Sequence, residues 1–328
     1  DLHKEYRRQR QMCIRDRSNY HHLLPEVVTR LENLGILEDS EGAKVVYPGG
    51  WINREGEPMP LIIQKADGAY NYATTDLACI IDRVERLGCD DLLYVVGTPQ
   101  TQHFKMVFEV ATQAGFMNES HNSAHVMFGS VMDSDGKILK SREGEVIKLV
   151  DLLNEAIFRA NQAIAERNPS MDDEQRNAIA KSIGIGAVKY ADLSTERTKD
   201  YVFDWERMLS FDGNTSPYLQ YAHARICSIF RRSQIVRPLP RDTVISLGYE
   251  EEALLARRLI NFSAMVDESL STYSPHRMCT YLHSVASAFA SFYENCPVLS
   301  SEDDEIRMSR LALCDLTART LSLSLIHI

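Results

Sequence analysis

Residues 70–103 limit what this chain can fold into more than any other stretch. They open Tyr-Asn-Tyr-Ala-Thr-Thr-Asp-Leu-Ala and end Gly-Thr-Pro-Gln-Thr-Gln-His. Between these ends, Leu77, Ile80, Ile81, Val84 and Leu87 recur at helical spacing. Gly88 follows where a helix C-cap glycine belongs. Residues 92–97 form a continuous apolar run, the pattern of a buried parallel strand. Tyr72 and Asp76 are four apart, so on a helix they share one face. Asp76 is expected in the first turn, where a carboxylate suits the positive end of the helix dipole. Gln100 and His103 come after the strand ends. In an open α/β sheet that edge is where ligands bind.

The flanking segments continue the alternation. Residues 23–35 read as a helix, with Pro25 near its start, Gly35 at its end, and Leu24, Val27, Val28, Leu31 and Leu34 as its apolar stripe. Residues 43–47 and 61–64 read as strands, 103–114 as a helix and 125–128 as a strand. Strands alternating with helices imply a parallel sheet, here the second half of a doubly wound α/β nucleotide-binding fold. Asp135-Gly136 signals a hairpin-type turn. It leads to Lys140-Ser141-Arg142, cations and a hydroxyl on a Gly-containing loop, a set that suits a triphosphate or simply a solvated hairpin arm. Residues 149–165 and 175–194 read as long helices. Gly184-x-Gly186 lies inside the second, so it implies close helix packing and not a phosphate loop. Residues 204–217 are the expected junction. Beyond Pro217 the pattern is helical, over 218–232, 250–269, 275–294 and 306–320, an all-α bundle whose positive charge is carried by arginines.

Composition narrows the class. A chain of 328 residues accommodates two domains. A net charge of −10 argues against a general nucleic-acid coat, though a local basic face can sit on an acidic protein. No apolar run is long enough to span a bilayer, and no secretory signal is recognisable. The cysteines have no Cys-x-x-Cys spacing, which fits reduced cytosolic thiols better than zinc or disulfides. No nucleophile triad, metal cluster or catalytic carboxylate pair stands out.

Both ends read as something other than protein sequence. Met12-Cys-Ile-Arg-Asp-Arg17 can be encoded by ATG TGT ATA AGA GAC AGR, and Leu323-Ser-Leu-Ile-His-Ile328 by CTG TCT CTT ATA CAC ATY. The second is nearly the reverse complement of the first, and both match a transposase mosaic-end adapter. Residues 1–18 and 323–328 are therefore expected to be adapter-derived, leaving 19–210 as part of a catalytic domain and 211–322 as a helical domain.

Several separated motifs carry a resemblance. Thr-Thr-Asp-Leu-Ala, Gln-Thr-Gln-His-Phe, Gly-Ile-Gly-Ala-Val-Lys-Tyr-Ala-Asp-Leu-Ser and Gly-Asn-Thr-Ser-Pro-Tyr-Leu-Gln-Tyr-Ala follow one another as in the arginyl-tRNA synthetases, which the chain resembles from about residue 20 to 321. The resemblance implies the C-terminal part of a Rossmann-type class I catalytic domain followed by an anticodon-binding bundle. It implies L-arginine, ATP with Mg²⁺ and tRNA(Arg) as ligands, a cytoplasmic location, and a monomer at full length. Tyr72, Asp76 and Gln100 match arginine-binding positions, with Asp76 pairing the guanidinium. On sequence alone Asp76 reads as a helix cap. His103 matches a histidine near the nucleotide, where alone it reads as a partly buried helix-start residue. Lys140, Ser141 and Arg142 stand in place of the class's Lys-Met-Ser-Lys-Ser loop, with the second lysine missing. Tyr218, Tyr221, Arg225 and Arg232 are the expected tRNA contacts, since arginine offers a planar fork for phosphate and stacks on bases; most other bundle arginines are expected to be solvated surface charge.

The family's His-Ile-Gly-His-type motif does not occur in the 328 residues. The chain by itself is therefore expected not to charge tRNA, and a sheet without its partner strands to expose an apolar edge and face. A non-catalytic tRNA-binding paralogue is the alternative of a different class. Another adenylating enzyme on the same fold is a third reading, disfavoured by the arginine-specific residues.

Overall fold

The computed structural model describes residues 19–53, 55–132, 135–137 and 148–324. Lys140, Ser141 and Arg142 lie outside the described residues, as do 1–18 and 325–328 of the adapter-like ends. The chain divides into two units, Asp1–Phe128 and Gly129–Ile328.

In the first unit, α1 (Leu24–Asn33) buries Leu24, Val27, Val28 and Leu31, most of the stripe the spacing predicts. It stops at Gly35, whose φ of +67° is natural only for glycine. Strands β1 (Glu38–Ser40), β2 (Ala43–Val46) and β3 (Leu61–Gln64) follow. They pair antiparallel in the order β1-β2-β3. The expected parallel arrangement therefore fails for β2 and β3. No helix lies between them, and a parallel pair needs a crossover of a dozen or more residues, usually helical.

Helix α2 (Tyr72–Ile81) continues as a π-helical turn over Asp82–Arg86. Gly88, at φ +63°, ends it as the sequence suggests. Strand β4 (Asp91–Gly97), helix α3 (Thr101–Gln113) and strand β5 (Asn122–Phe128) complete the unit, and β4 and β5 pair parallel from Asp91↔Asn122 to Gly97↔Phe128. A short 3₁₀ turn, Thr98–Gln100, joins β4 to α3. Leu77, Ile80, Leu92 and Val107 share one core with the α1 stripe.

Strand β4 is not the two-sided buried strand its apolar run implies. Leu92 and Tyr94 are buried, while Leu93 and Val95 are 45% and 67% exposed. Side chains alternate across a strand, and here one face is covered.

The second unit begins with β6 (Val131–Met132), which pairs parallel with β7 (Tyr201–Val202). Between them, α4 (Leu149–Arg167) and α5 (Asp173–Ser194) form a packed pair. A Cβ on Gly184 would stand 2.7 Å from the backbone of Ala156, and one on Gly186 2.8 Å from Ser216 Oγ and Gln220 Nε2. The two glycines mark close helix packing, as their setting implies. Asp204 caps the short α6 (Trp205–Leu209), accepting from the N–H of Glu206 and Arg207.

Helices α7 (Ser216–Ser233), α8 (Glu250–Ile260), α9 (Phe262–Ser271), α10 (Pro275–Asn295) and α11 (Asp304–Ser324) form the expected bundle. Thr215 caps α7 and Pro217 sits in its first turn. The helix expected over 250–269 is two helices that part at Asn261. The bundle core includes Ile226, Leu255, Leu282, Phe289, Phe292 and Leu311.

Candidate functional site

The site is framed by the start of α2 and the carboxyl end of β4. Strand β3 runs into a tight turn in which Lys65 N–H donates to Ala69 O and Gly68 takes φ +79°. Asn71 is then extended, at ψ 168°, and its side chain accepts from Tyr72 N–H at 2.8 Å. Asn71 is thus the N-cap, and α2 has no acidic residue in its first turn. The expected placing of Asp76 is corrected: it stands in the second turn. A local cap outcompetes the dipole argument, because it satisfies a specific backbone donor. Thr74 Oγ donates to Ile63 O, which ties α2 to β3.

The 3₁₀ turn after β4 aims the next helix. Thr98 Oγ donates to Phe128 O at 3.0 Å, and Thr101 Oγ to Thr98 O at 2.6 Å. Gln100 precedes α3 without capping it, and its side chain is exposed. His103 is the third residue of α3. Its Nε2 lies 2.7 Å from Asp76 Oδ2, so the pair joins α2 to α3. A carboxylate only accepts, so Nε2 is the donor. The Asp76 side chain is 13% exposed and that of His103 28%. The His103 ring meets Phe104 edge-on, with centroids 5.1 Å apart. Phe104 is buried against Tyr94, Phe108 and His125.

Of the four residues predicted here, the structure bonds two to each other, Asp76 and His103. Tyr72 is exposed and lines a pocket with His21, Leu24, Lys65, Tyr70, Asn71 and Thr75. Tyr70 was visible in the Tyr-Asn-Tyr triplet, while nothing in the periodicity marked Lys65 or His21.

In the helical unit, Arg225 donates to the Tyr221 hydroxyl at 2.7 Å. Its guanidinium lies over the rings of Tyr221 and Tyr293, at 4.7 and 4.9 Å. Tyr221 and Arg232 are exposed, and half-buried Tyr218 lies tilted against the His283 ring, centroids 5.4 Å apart. Two arginines expected as solvated charge are structural instead. Arg310 donates to Glu252 at 2.7 Å and to Pro297 O, with the ion-pair side chains 5% and 2% exposed. Arg237 donates to Asp315 at 2.7 Å. Burial pushes the Glu252 carboxyl up, but Arg310 and the N–H groups of Gly248 and Tyr249 outweigh it, holding it below the usual range.

No helix among the described residues is long and apolar enough to cross a membrane. Among them, no cluster of His, Cys, Asp and Glu is grouped to hold a metal ion.

Comparison with known proteins covers most of the chain. Residues 3–205 match the model of the catalytic domain of tRNA synthetases class I (R), and residues 219–328 that of the DALR anticodon binding domain. The arginine–tRNA ligase of Proteus mirabilis is 48% identical over 304 residues, covering 93% of this chain and 53% of that protein. An Escherichia coli arginine–tRNA ligase is 46% identical over 308 residues. The crystal structure of arginyl-tRNA synthetase from Plasmodium falciparum is similar with a TM-score of 0.80 at 28% identity, covering 98% of this chain and 55% of that one. The chain spans about half the length of the curated relatives it matches. On a match covering more than half of its residues, supported by these relatives, the chain belongs to the class I arginyl-tRNA synthetase family.

Proposed function

We propose that this chain contributes the arginine side of an arginyl-tRNA synthetase active site and the tRNA-binding bundle of the same enzyme. The observation that carries the arginine site is Asp76: a mostly buried carboxylate at the carboxyl edge of a parallel strand pair, held on one oxygen by His103. A guanidinium offers the charge and the N–H donors that such a carboxylate lacks. Tyr72 lines the approach and Gln100 takes the polar end of the amino acid. In the complete enzyme the arginine carboxylate would attack the ATP α-phosphate, and the arginyl group would then pass to the terminal adenosine of tRNA(Arg). Positioning and charge stabilisation serve both steps. Lys140, Ser141 and Arg142 would serve the nucleotide, and Mg²⁺ would arrive on its phosphates. Tyr218, Tyr221, Arg225 and Arg232 would meet the tRNA, the Arg225–Tyr221–Tyr293 cluster offering stacking surface and positive charge together. The family setting supports a cytoplasmic enzyme, monomeric at full length.

The test is calorimetric titration of the 328-residue chain with L-arginine and with L-citrulline, which keeps the shape and loses the charge. Arginine should bind in preference. Asp76→Asn should remove roughly 10- to 100-fold of that preference, the scale of a hydrogen bond to a charged group. Equal uptake of the two amino acids by the wild-type chain would refute the assignment.

A further inference from the structure

The Asp76–His103 pair fixes more than the stability of two helices. A lone aspartate at a helix surface turns about its side-chain bonds and offers either oxygen in many directions. Here Oδ2 is taken by His103 Nε2, and the Asp76 side chain makes no other hydrogen bond among the described residues. Oδ1 is therefore the oxygen left for a guest. The histidine is itself mounted firmly. It sits in the first turn of α3, edge-on to Phe104, which is 3% exposed and packed among Tyr94, Phe108 and His125. The hydrogen bond thus ties Oδ2 to a ring that packs edge-on against a buried phenylalanine and limits the rotamers open to the carboxylate.

We propose that His103 is a positioning residue for the arginine site, holding Asp76 so that Oδ1 faces the incoming side chain in one direction. The proposal rests on the arginine-site reading above and assigns His103 to the amino acid, where its sequence context assigns it to the nucleotide. A fixed acceptor direction favours a planar donor over a compact ammonium, which bonds equally well to a carboxylate in any rotation. His103 would therefore contribute to the choice of arginine over lysine as well as to affinity.

The experiment compares His103→Leu, which keeps bulk and loses the donor, with His103→Gln, whose amide nitrogen reaches about where Nε2 lies. Both are made in the 328-residue chain and titrated with L-arginine, L-lysine and ATP. His103→Leu should weaken L-arginine roughly tenfold, the effect of one charge-assisted hydrogen bond. It should narrow the arginine-over-lysine preference and leave ATP unchanged, and His103→Gln should restore most of both losses. ¹⁵N spectra of the histidine rings read the pair in the unaltered chain and again in Asp76→Asn, a change of one polar group at a partly exposed site. The His103 Nε2–H signal should persist at saturating L-arginine and move in Asp76→Asn. Wild-type arginine binding and selectivity in His103→Leu would overturn the proposal, as would loss confined to ATP, or a ring signal indifferent to Asp76→Asn. If the wild-type chain takes L-arginine no better than L-citrulline, the arginine-site reading has failed first, before any His103 variant is made.

Discussion

At the scale of single residues, charge in this chain is either used at the surface or closed off inside. The Arg310–Glu252 pair belongs to the second kind. Removing one partner of a buried pair leaves an uncompensated charge, so Arg310→Ala should cost about 3–5 kcal/mol in urea unfolding of the helical unit. The same pair sets an acid limit. The Glu252 carboxyl lies lower in the folded chain than its usual 4.5. Its contribution is therefore complete above 4.5 and is lost as pH falls through the native value. Unfolding midpoints followed downward from pH 6 should show this loss in the wild type and lack it in Glu252→Gln. None of this was legible in the sequence. An arginine on a helix reads as solvated unless its partner is known, and Glu252 lies 58 positions away. Asp76 and His103 were each legible in the sequence as separate candidate residues. Their bond was not, because it depends on how α2 and α3 pack, which periodicity does not fix.

At the scale of elements, the sequence was most informative where a local rule has no competitor. Glycines at Gly35 and Gly88 end helices in the left-handed region, as read. Gly184 and Gly186 sit at close helix crossings, as read, and the structure separates their consequences. Alanine at either site gains helix propensity of roughly 0.5–1 kcal/mol. At Gly184 the added carbon meets the backbone of Ala156, which cannot move aside, so Gly184→Ala should be destabilising by about 1–3 kcal/mol. At Gly186 it meets the ends of two side chains, which can turn away, so Gly186→Ala should be near neutral. Thermal unfolding of the two variants side by side checks the contrast. The readings that failed involve choices between elements. The β2–β3 pairing depended on connection type, and the break at Asn261 falls within an apolar period that runs unbroken through it.

At the scale of the whole molecule, each unit has its own core, and the first leaves an apolar face uncovered at Leu93 and Val95. Exposed apolar strand faces promote association. Sedimentation velocity should show the 328-residue chain associating as concentration rises, and Leu93→Thr with Val95→Thr should suppress this while keeping β propensity. A concentration-independent wild-type profile would contradict the expectation. The helical unit carries a different constraint. Its two long-range ion pairs join Arg237 to Asp315 and Glu252 to Arg310, across 78 and 58 positions, and the second is buried on both sides. A ribosome supplies these partners in order, at roughly 5–20 residues per second. For some seconds, Arg237 and Glu252 have left the synthesis site while the carboxylate and guanidinium that neutralise them do not yet exist. Over that interval the Glu252 carboxylate, 2% exposed in the folded chain, must stay hydrated, so α8 cannot bury it. Burial of Glu252 is therefore expected only once α11 has been made.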